Sequence, residues 1–373
     1  MKRATFRCML ACGWSLLAAA CSIAPRSFTV QDFASVDKTD VHVHINSTGS
    51  ELIDQAEADH FRLLTINVDY PDFPPLADQK RIAQAQVASH PTVVAYAAAF
   101  SMHGWDEPGW QQHAIQELDA AFASGAVAVK VWKNIGMVFR DANGRLVMID
   151  DPQFDPVFDF IRQRHKVLIG HLGEPRNCWL PIDEMTVNGD KEYFREHPQY
   201  HMFLHPDMPS YEQQMAARDR MLDKNPNLKF DGAHMASLEW SVDKLAAFLD
   251  RYPNAVVDLA ARMGQVQYQS NRDRAKVRRF FIRYQDRLLY GTDTTQDPGA
   301  DPQEFRRETH ANWLRDWQYL ATALTFNVPE LDAPVHGLGL PKDVVRKIYS
   351  SNAERWFGNP WHGLVGNETR VSK

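Results

Sequence analysis

An α/β fold of eight parallel strands alternating with helices, closed into a (β/α)8 TIM barrel, is what this sequence predicts. Two observations carry that reading. Short apolar runs rich in β-branched residues recur eight times, and helical patterns lie between most of them. Repeated strand–helix alternation implies parallel pairing, and eight is the number that closes such a barrel. The competing fold is an open doubly wound sheet. Against it, the first strand lacks a Gly-rich turn and no phosphate-binding loop appears. The length of 373 residues allows two domains, but no linker marks a boundary, and one large barrel fits.

The elements follow in order. Lys2, Arg3 and Arg7 precede an apolar stretch, 8–20, that ends in three alanines. Residues 1–20 therefore read as a secretory signal peptide, too short for a membrane span. "LAAAC" (17–21) resembles a bacterial lipobox, in which Cys21 becomes the lipidated N-terminus of an envelope lipoprotein. Ala18 stands where Leu is the stronger form, and plain secretion is the alternative. Residues 21–37 read as a linker, 38–357 as the barrel and 358–373 as a tail. The strands are expected at 40–45, 62–69, 92–100, 126–132, 166–172, 228–235, 255–261 and 287–293. Helical patterns cover 77–90, 110–125, 155–164, 210–225, 241–252 and 271–286, with Ser210, Ser241 and Asn271 as N-caps and Asp155 before Pro156. The connection from 173 to 210 is long and rich in Trp, Pro and His, which suggests a functional loop or a lid.

Composition excludes some functions. The formal charge is −6, and cleaving off the three positive residues of the signal leaves −9. No basic stripe or second apolar span is present, so nucleic-acid and membrane-spanning roles are not indicated. Cys21 and Cys178 are the cysteines left after cleavage, too few for a disulfide framework.

The chemistry sits at the carboxyl ends of the strands, where barrel active sites lie. "DVHVHINS" (40–47) places His42 and His44 at alternate positions, so both rings share one strand face. Strand four adds Lys130, strand five His171, strand six His234 and strand eight Asp293. Any one of these, buried and unpaired, would cost a few kcal/mol. A single buried His is readily satisfied by backbone; six such residues at one end of successive strands ask for a common explanation.

This ordered set, with "GHLGEPRNCWLPID", "FDGAHMAS", "RLLYGTDTT" and the terminal "VVRKIYSSNAERWFG", resembles the amidohydrolase superfamily, in its amidohydrolase-related (amidohydrolase 2) branch, over residues 38–357. The resemblance implies a divalent metal, expected to be Zn²⁺, one or two per chain, bound by His42, His44, Asp293 and His171. Such a metal activates water and polarises a carbonyl. Asp293 would take the proton from that water. His234 would bind a second metal or donate a proton to substrate. Thr292 and Thr294 would orient Asp293 or simply form the turn. Lys130 matches the lysine that relatives carbamylate to bridge two metals. An unmodified ammonium about 4 Å from a dication would be opposed by about 8 kcal/mol at an effective dielectric of about 20. In one-metal relatives this lysine faces substrate instead, and a structural, hydrogen-bonded lysine is a third reading.

Glu174, Arg176, Lys133 and Arg262 follow strand ends and are candidates for substrate binding. Arginine suits a carboxylate through its bidentate fork, and a surface ion pair is the other account of Glu174 and Arg176. Trp105, Trp110, Trp132 and Trp179 either wall a pocket or pack. His197, His201 and His205 do not match the metal pattern and are expected to be solvated or structural. The expected function is an exported metal-dependent hydrolase of a small amide, ester or lactone. A non-oxidative decarboxylase of the same superfamily is the alternative, and a non-catalytic ligand-binding lipoprotein is a second.

Overall fold

The computed structural model describes residues 27–361. The expected signal segment, Cys21 and the end of the tail lie outside the described residues. Strands β1 (Lys38–Ile45), β2 (Phe61–Ile66), β3 (Val94–Ala99), β4 (Ala128–Val131), β5 (Val167–Gly170), β6 (Lys229–Gly232), β7 (Ala255–Asp258) and β8 (Leu288–Leu289) pair in sequence order. All these pairs are parallel, as crossover helices require.

The eighth staves the barrel in two pieces. β8 pairs with β7, while β9 (Thr294–Gln296) pairs with β1. Between them Val41 N donates to Tyr290 O at 3.0 Å and Asp293 N to His42 O at 2.7 Å, so the ring closes through the break. Sterics explain the interruption. A Cβ at Gly291 would lie 3.0 Å from the His42 Cβ, and Asp293 turns through φ 70°. The chain thereby approaches β1 closely and re-aims Asp293 toward the mouth.

Side chains fill the lumen. Val41, Leu64, Ile66, Ala97, Val167, Ile169, Val256 and Leu289 pack there with Phe357 and Trp361 of the terminal helical segment. Trp361 Nε1 donates to Leu63 O near the start of β2 at 3.0 Å. A second, larger apolar layer fills the space between strands and helices. Each fully buried Leu, Ile or Phe in it contributes roughly 1.5–3 kcal/mol.

Several expectations shift by physical detail. Ser210 and Ser241 do cap Tyr211–Lys224 and Val242–Arg251, the first with a full capping box to Gln213. Asn271 caps nothing. Its helix begins at Met263 and runs to Arg283 with one break at Asp273, because the apolar face starts earlier with Val266. A short helix, Glu51–Ala58, joins β1 to β2, and Pro302–Ala321 follows the barrel strands. Residues 27–37 are no free linker: Phe28 and Phe33 are buried against Trp317, and the Lys38 ammonium donates to Phe33 O and Val36 O at 2.7 and 2.6 Å. The long connection after β5 forms a lid whose Cys178, Met185, Phe194 and Met202 share a small core with Met137 from the segment after β4.

Candidate metal centre

Three histidine rings at the mouth have their tautomers fixed by what Nδ1 touches. His42 Nδ1 donates to Asp258 Oδ2 at 2.7 Å, His44 Nδ1 to Ile66 O at 2.8 Å and His234 Nδ1 to Ala260 O at 2.9 Å. A carbonyl or an ionised carboxylate can only accept, so each Nε2 keeps its lone pair for a ligand role. His44 Nε2 and His42 Nε2 lie 3.2 and 3.4 Å from Asp293 Oδ1. His42, His44 and Asp293 thus form a compact group able to hold one cation. The His171 ring stands 4.1 Å from that of His234, and the Nε2 atoms of both are buried without a partner. Unpartnered buried ring nitrogens are costly, and the His234 ring also lies 4.7 Å from that of His42.

The electrostatics suit a cation. Burial depresses the basicity of His42, His171 and His234, so these imidazoles are neutral. Burial alone would raise the Asp293 carboxyl, but a proton entering the cluster rests on the His234, His42 or His44 ring and its charge holds the carboxyl well below the usual range, so Asp293 is ionised. Neutral imidazoles and a carboxylate are the donor set of Zn²⁺ and similar divalent ions, so the residues fit the implied metal. Lys130 complicates the fit. Its ammonium donates to His42 Nε2 at 3.0 Å, occupying a lone pair the metal needs. Burial also lowers its pKa to about 8, against the pull of Asp258, Asp293 and Asp231.

Two carboxylates escaped the sequence reading. Asp258 ends β7 and is fully buried. Its Oδ2 takes the His42 ring, while Oδ1 accepts from His234 N at 2.7 Å and Ala260 N at 3.1 Å. Its oxygens therefore support ligands rather than serve as one. Burial opposes its charge, but His42, His234 and Lys130 prevail and hold its pKa near 2. Asp231 on β6 has neither oxygen hydrogen-bonded, and burial together with the charge on Asp258 raises its pKa well above normal. The signal for both was present: an ionisable residue in an apolar strand, as at Lys130.

His234 sits at the head of an unusual turn. His234, Met235, Ala236 and Ser237 have φ of 57°, 59°, 54° and 54°, all left-handed and none glycine. Such a conformation costs a non-glycine residue roughly 1–2 kcal/mol, so about 4–8 kcal/mol is held in this turn. Hydrogen bonds from Ser237 N to His234 O (3.2 Å) and Leu238 N to Met235 O (3.0 Å) complete it.

Beside the centre lies a cavity of about 300 Å³ lined by His171, Asp293, Lys133, Glu174, Arg262 and the lid residues Asp190, Tyr193 and Phe194. Lys133 and Glu174 form a buried ion pair. Arg262 is buried with a single hydrogen bond, Nη1 to Ala261 O at 2.9 Å, and its Nε has no partner. Arg176 is not brought there. Its guanidinium stacks 4.6 Å over Trp240 and lines a separate groove, because its backbone N is tied to Glu239 Oε1 at 2.9 Å. Thr292 and Thr294 do not hold the Asp293 side chain; their hydroxyls bond each other, and Thr292 also bonds Asp40. Trp105 and Trp110 pack with Phe154, Trp132 lies against Tyr70 and Trp179 against Tyr211. In the lid His201 and His205 donate to Leu180 O and Pro198 O, and His197 packs on Tyr193.

A family model described as Amidohydrolase (Amidohydro_2) matches residues 39–358. The chain belongs to the amidohydrolase family. It is therefore an enzyme of the amidohydrolase superfamily, a metal-dependent group. No curated protein sequence matches it significantly. Among solved structures it is similar to a TIM-barrel protein from Bordetella bronchiseptica, with 14% identity and a TM-score of 0.50 over 87% of this chain and 99% of that one. A structure described as amidohydrolase II is 16% identical with a TM-score of 0.50, covering 86% and 100%. A 2,6-dihydroxybenzoate decarboxylase from Rhizobium is 15% identical with a TM-score of 0.49, covering 87% and 99%. At these identities the likeness to the first two establishes the barrel fold of this amidohydrolase and leaves its substrate to the site.

Proposed function

We propose that this amidohydrolase is an exported, metal-dependent hydrolase of a small amide, ester or lactone. The observation that carries the reading is the convergence of His42 Nε2 and His44 Nε2 on Asp293 Oδ1, with both Nδ1 atoms engaged elsewhere. A divalent ion, in our reading Zn²⁺, would supply Lewis acidity toward a substrate carbonyl and lower the pKa of water toward ~7. His42, His44 and Asp293 would hold it, with His171 and His234 as further ligands. Asp293 would accept the proton of the attacking water. Lys133, Glu174 and Arg262 line the cavity and orient the substrate, and the lid excludes solvent.

A second reading is a non-oxidative decarboxylase. Arg262, a buried guanidinium that acts on Asp190 and Glu239 by charge but makes no close ion pair with either, favours a substrate that brings its own carboxylate. Export rests on residues 1–21 and is our reading of the sequence.

The test combines metal analysis of the purified enzyme with a screen of lactones, amides and aromatic carboxylic acids. Acid release without carbon dioxide identifies the hydrolase; carbon dioxide release identifies the lyase. His42→Ala and Asp293→Ala should lose turnover and most bound metal while remaining folded. Full metal and normal turnover in either variant would refute the site.

A further inference from the structure

The left-handed turn at 234–237 has no local reason to exist. Its residues are His, Met, Ala and Ser, all buried, none with glycine's freedom at positive φ. Whatever holds it must come from outside, and the holding groups can be named. From β7, Asp258 Oδ1 accepts from His234 N and Ala260 O accepts from the His234 ring. From the chain after β5, Leu172 O and Gly173 O both accept from Ser237 Oγ at 3.1 Å. From the helix Tyr211–Lys224, Arg218 Nη1 donates to Ala236 O and Tyr211 OH donates to Ser237 O.

Arg218, like Tyr211 on the same helix, reaches no part of the metal centre. Its guanidinium also bonds Asp219 and lies 4.5 Å over the Phe248 ring, so it is anchored independently of the turn it grips. The carbonyl it holds lies two residues beyond His234, within the same i to i+3 bonded turn.

We propose that Arg218 is a positioning residue: by gripping Ala236 O it keeps the turn left-handed and aims His234 Nε2 at the metal centre. The inference rests on the metal reading above and deepens it. A turn in this strained conformation has a relaxed alternative in which the ring points elsewhere, and the clamp selects against it. Evolutionary substitution by glycine would remove the strain; fixing it from behind instead leaves the Ala236 methyl packed against Gly232, where an added Cβ would come within 2.5 Å.

The test uses the full chain stripped of metal and titrated calorimetrically with Zn²⁺. Arg218→Met keeps an unbranched apolar stem but loses the donors, and should weaken Zn²⁺ binding about tenfold or more, within the range seen when ligand supports are removed. Ala236→Gly removes the strain at one position and should raise Tm by about 2 °C. Combining the two should restore most of the lost Zn²⁺ affinity, because the relaxed turn no longer needs the grip. Arg218→Lys, which retains one donor, should fall between wild type and Arg218→Met, and it replaces the methionine variant if that fails to fold. Unchanged affinity in Arg218→Met, or a loss that Ala236→Gly does not rescue, overturns the proposal. A wild-type chain that takes up no Zn²⁺ refutes the metal reading instead. The turn is then judged by Tm alone: no gain from Ala236→Gly overturns it.

Discussion

Replacing Asp258 by Asn tests the tautomer argument on which the metal centre depends. Asp258 accepts three N–H groups: the His42 ring on Oδ2 at 2.7 Å, and His234 N and Ala260 N on Oδ1 at 2.7 and 3.1 Å. Asparagine has the same shape but one acceptor and one donor. If its oxygen stays on the two backbone amides, its NH₂ faces His42 Nδ1. The ring must then accept there and carry its proton on Nε2, the atom meant for metal, and the Lys130 amine, whose pKa burial lowers to about 8, must give up a proton to accept it. If the amide flips, two buried backbone N–H groups lose their acceptor, at roughly 1–3 kcal/mol each. The first arrangement is the cheaper. The variant should therefore fold with a stability loss of about 1–3 kcal/mol, from the lost charge-assisted bond. Zn²⁺ affinity should fall 10- to 100-fold. Asp258→Ala supplies the discriminating control: it leaves His42 free to choose its tautomer, so it should retain more Zn²⁺ affinity than Asp258→Asn while losing more stability. Calorimetric titration and thermal melts at one pH read both quantities. Wild-type affinity in Asp258→Asn, or weaker binding in Asp258→Ala than in Asp258→Asn, would refute the reasoning.

Three further outcomes are expected. Protein prepared with Zn²⁺ and bicarbonate should show by intact mass and metal content either two metals with Lys130 heavier by one carbon dioxide, or one metal with Lys130 unmodified; two metals with an unmodified lysine would contradict the charge argument. Glu239→Gln should stabilise the enzyme at pH 8 to 9 and change little at pH 4. Burial raises the Glu239 pKa from 4.5 to about 7 and leaves Oε2 without a partner, so the protonated form is favoured; its contribution is present below about pH 4.5 and lost as pH rises through 7, by at most about 3 kcal/mol. Equal melting shifts at both pH values would refute this. Cys21→Ser should release the enzyme from the membrane fraction if the lipobox is used, and a wild type already soluble would leave plain secretion.

Much of this arrangement was legible because a strand exposes its logic every second residue. An ionisable group inside a β-branched run, as at His42, His44, Lys130 or Asp293, needs an explanation wherever the run is buried on both faces. Asp258 and Asp231 carried the same signal in weaker form, since "VVDLA" and "KFDG" resemble strand ends where an Asp ordinarily caps. The turn at 234–237 was not legible at all. "HMAS" contains no residue that prefers positive φ, and its handedness is imposed by Arg218, Tyr211 and Asp258 from distant parts of the chain. Arg176 illustrates the opposite error. Proximity in sequence to His171 suggested a shared mouth, but the tie of its amide to Glu239 turns the side chain outward to Trp240. Helix starts behaved similarly: Ser210 and Ser241 cap by local chemistry, whereas Met263 begins its helix because of packing that no cap announces.

Charge counting ties the residues of the centre together. Burial favours the neutral forms of His42, His171, His234 and Asp231, so the charges set around the His42 ring are Lys130, positive, and Asp258 and Asp293, both negative. A buried set with net charge −1 is unfavourable by itself. One divalent ion overshoots to +1 unless Lys130 gives up its proton, which also frees His42 Nε2 from the contact it now makes. With a neutral amine the balance is zero. Two divalent ions beside two aspartates leave +2, which a cationic Lys130 would worsen; conversion of that side chain to an anionic carbamate brings the sum to +1, and one further anion, such as a substrate carboxylate directed by Arg262, brings it to zero. In either case Lys130 cannot remain the ammonium that the metal-free centre holds. The residue most at odds with a metal is thus the one whose chemical form reports how many metals are bound.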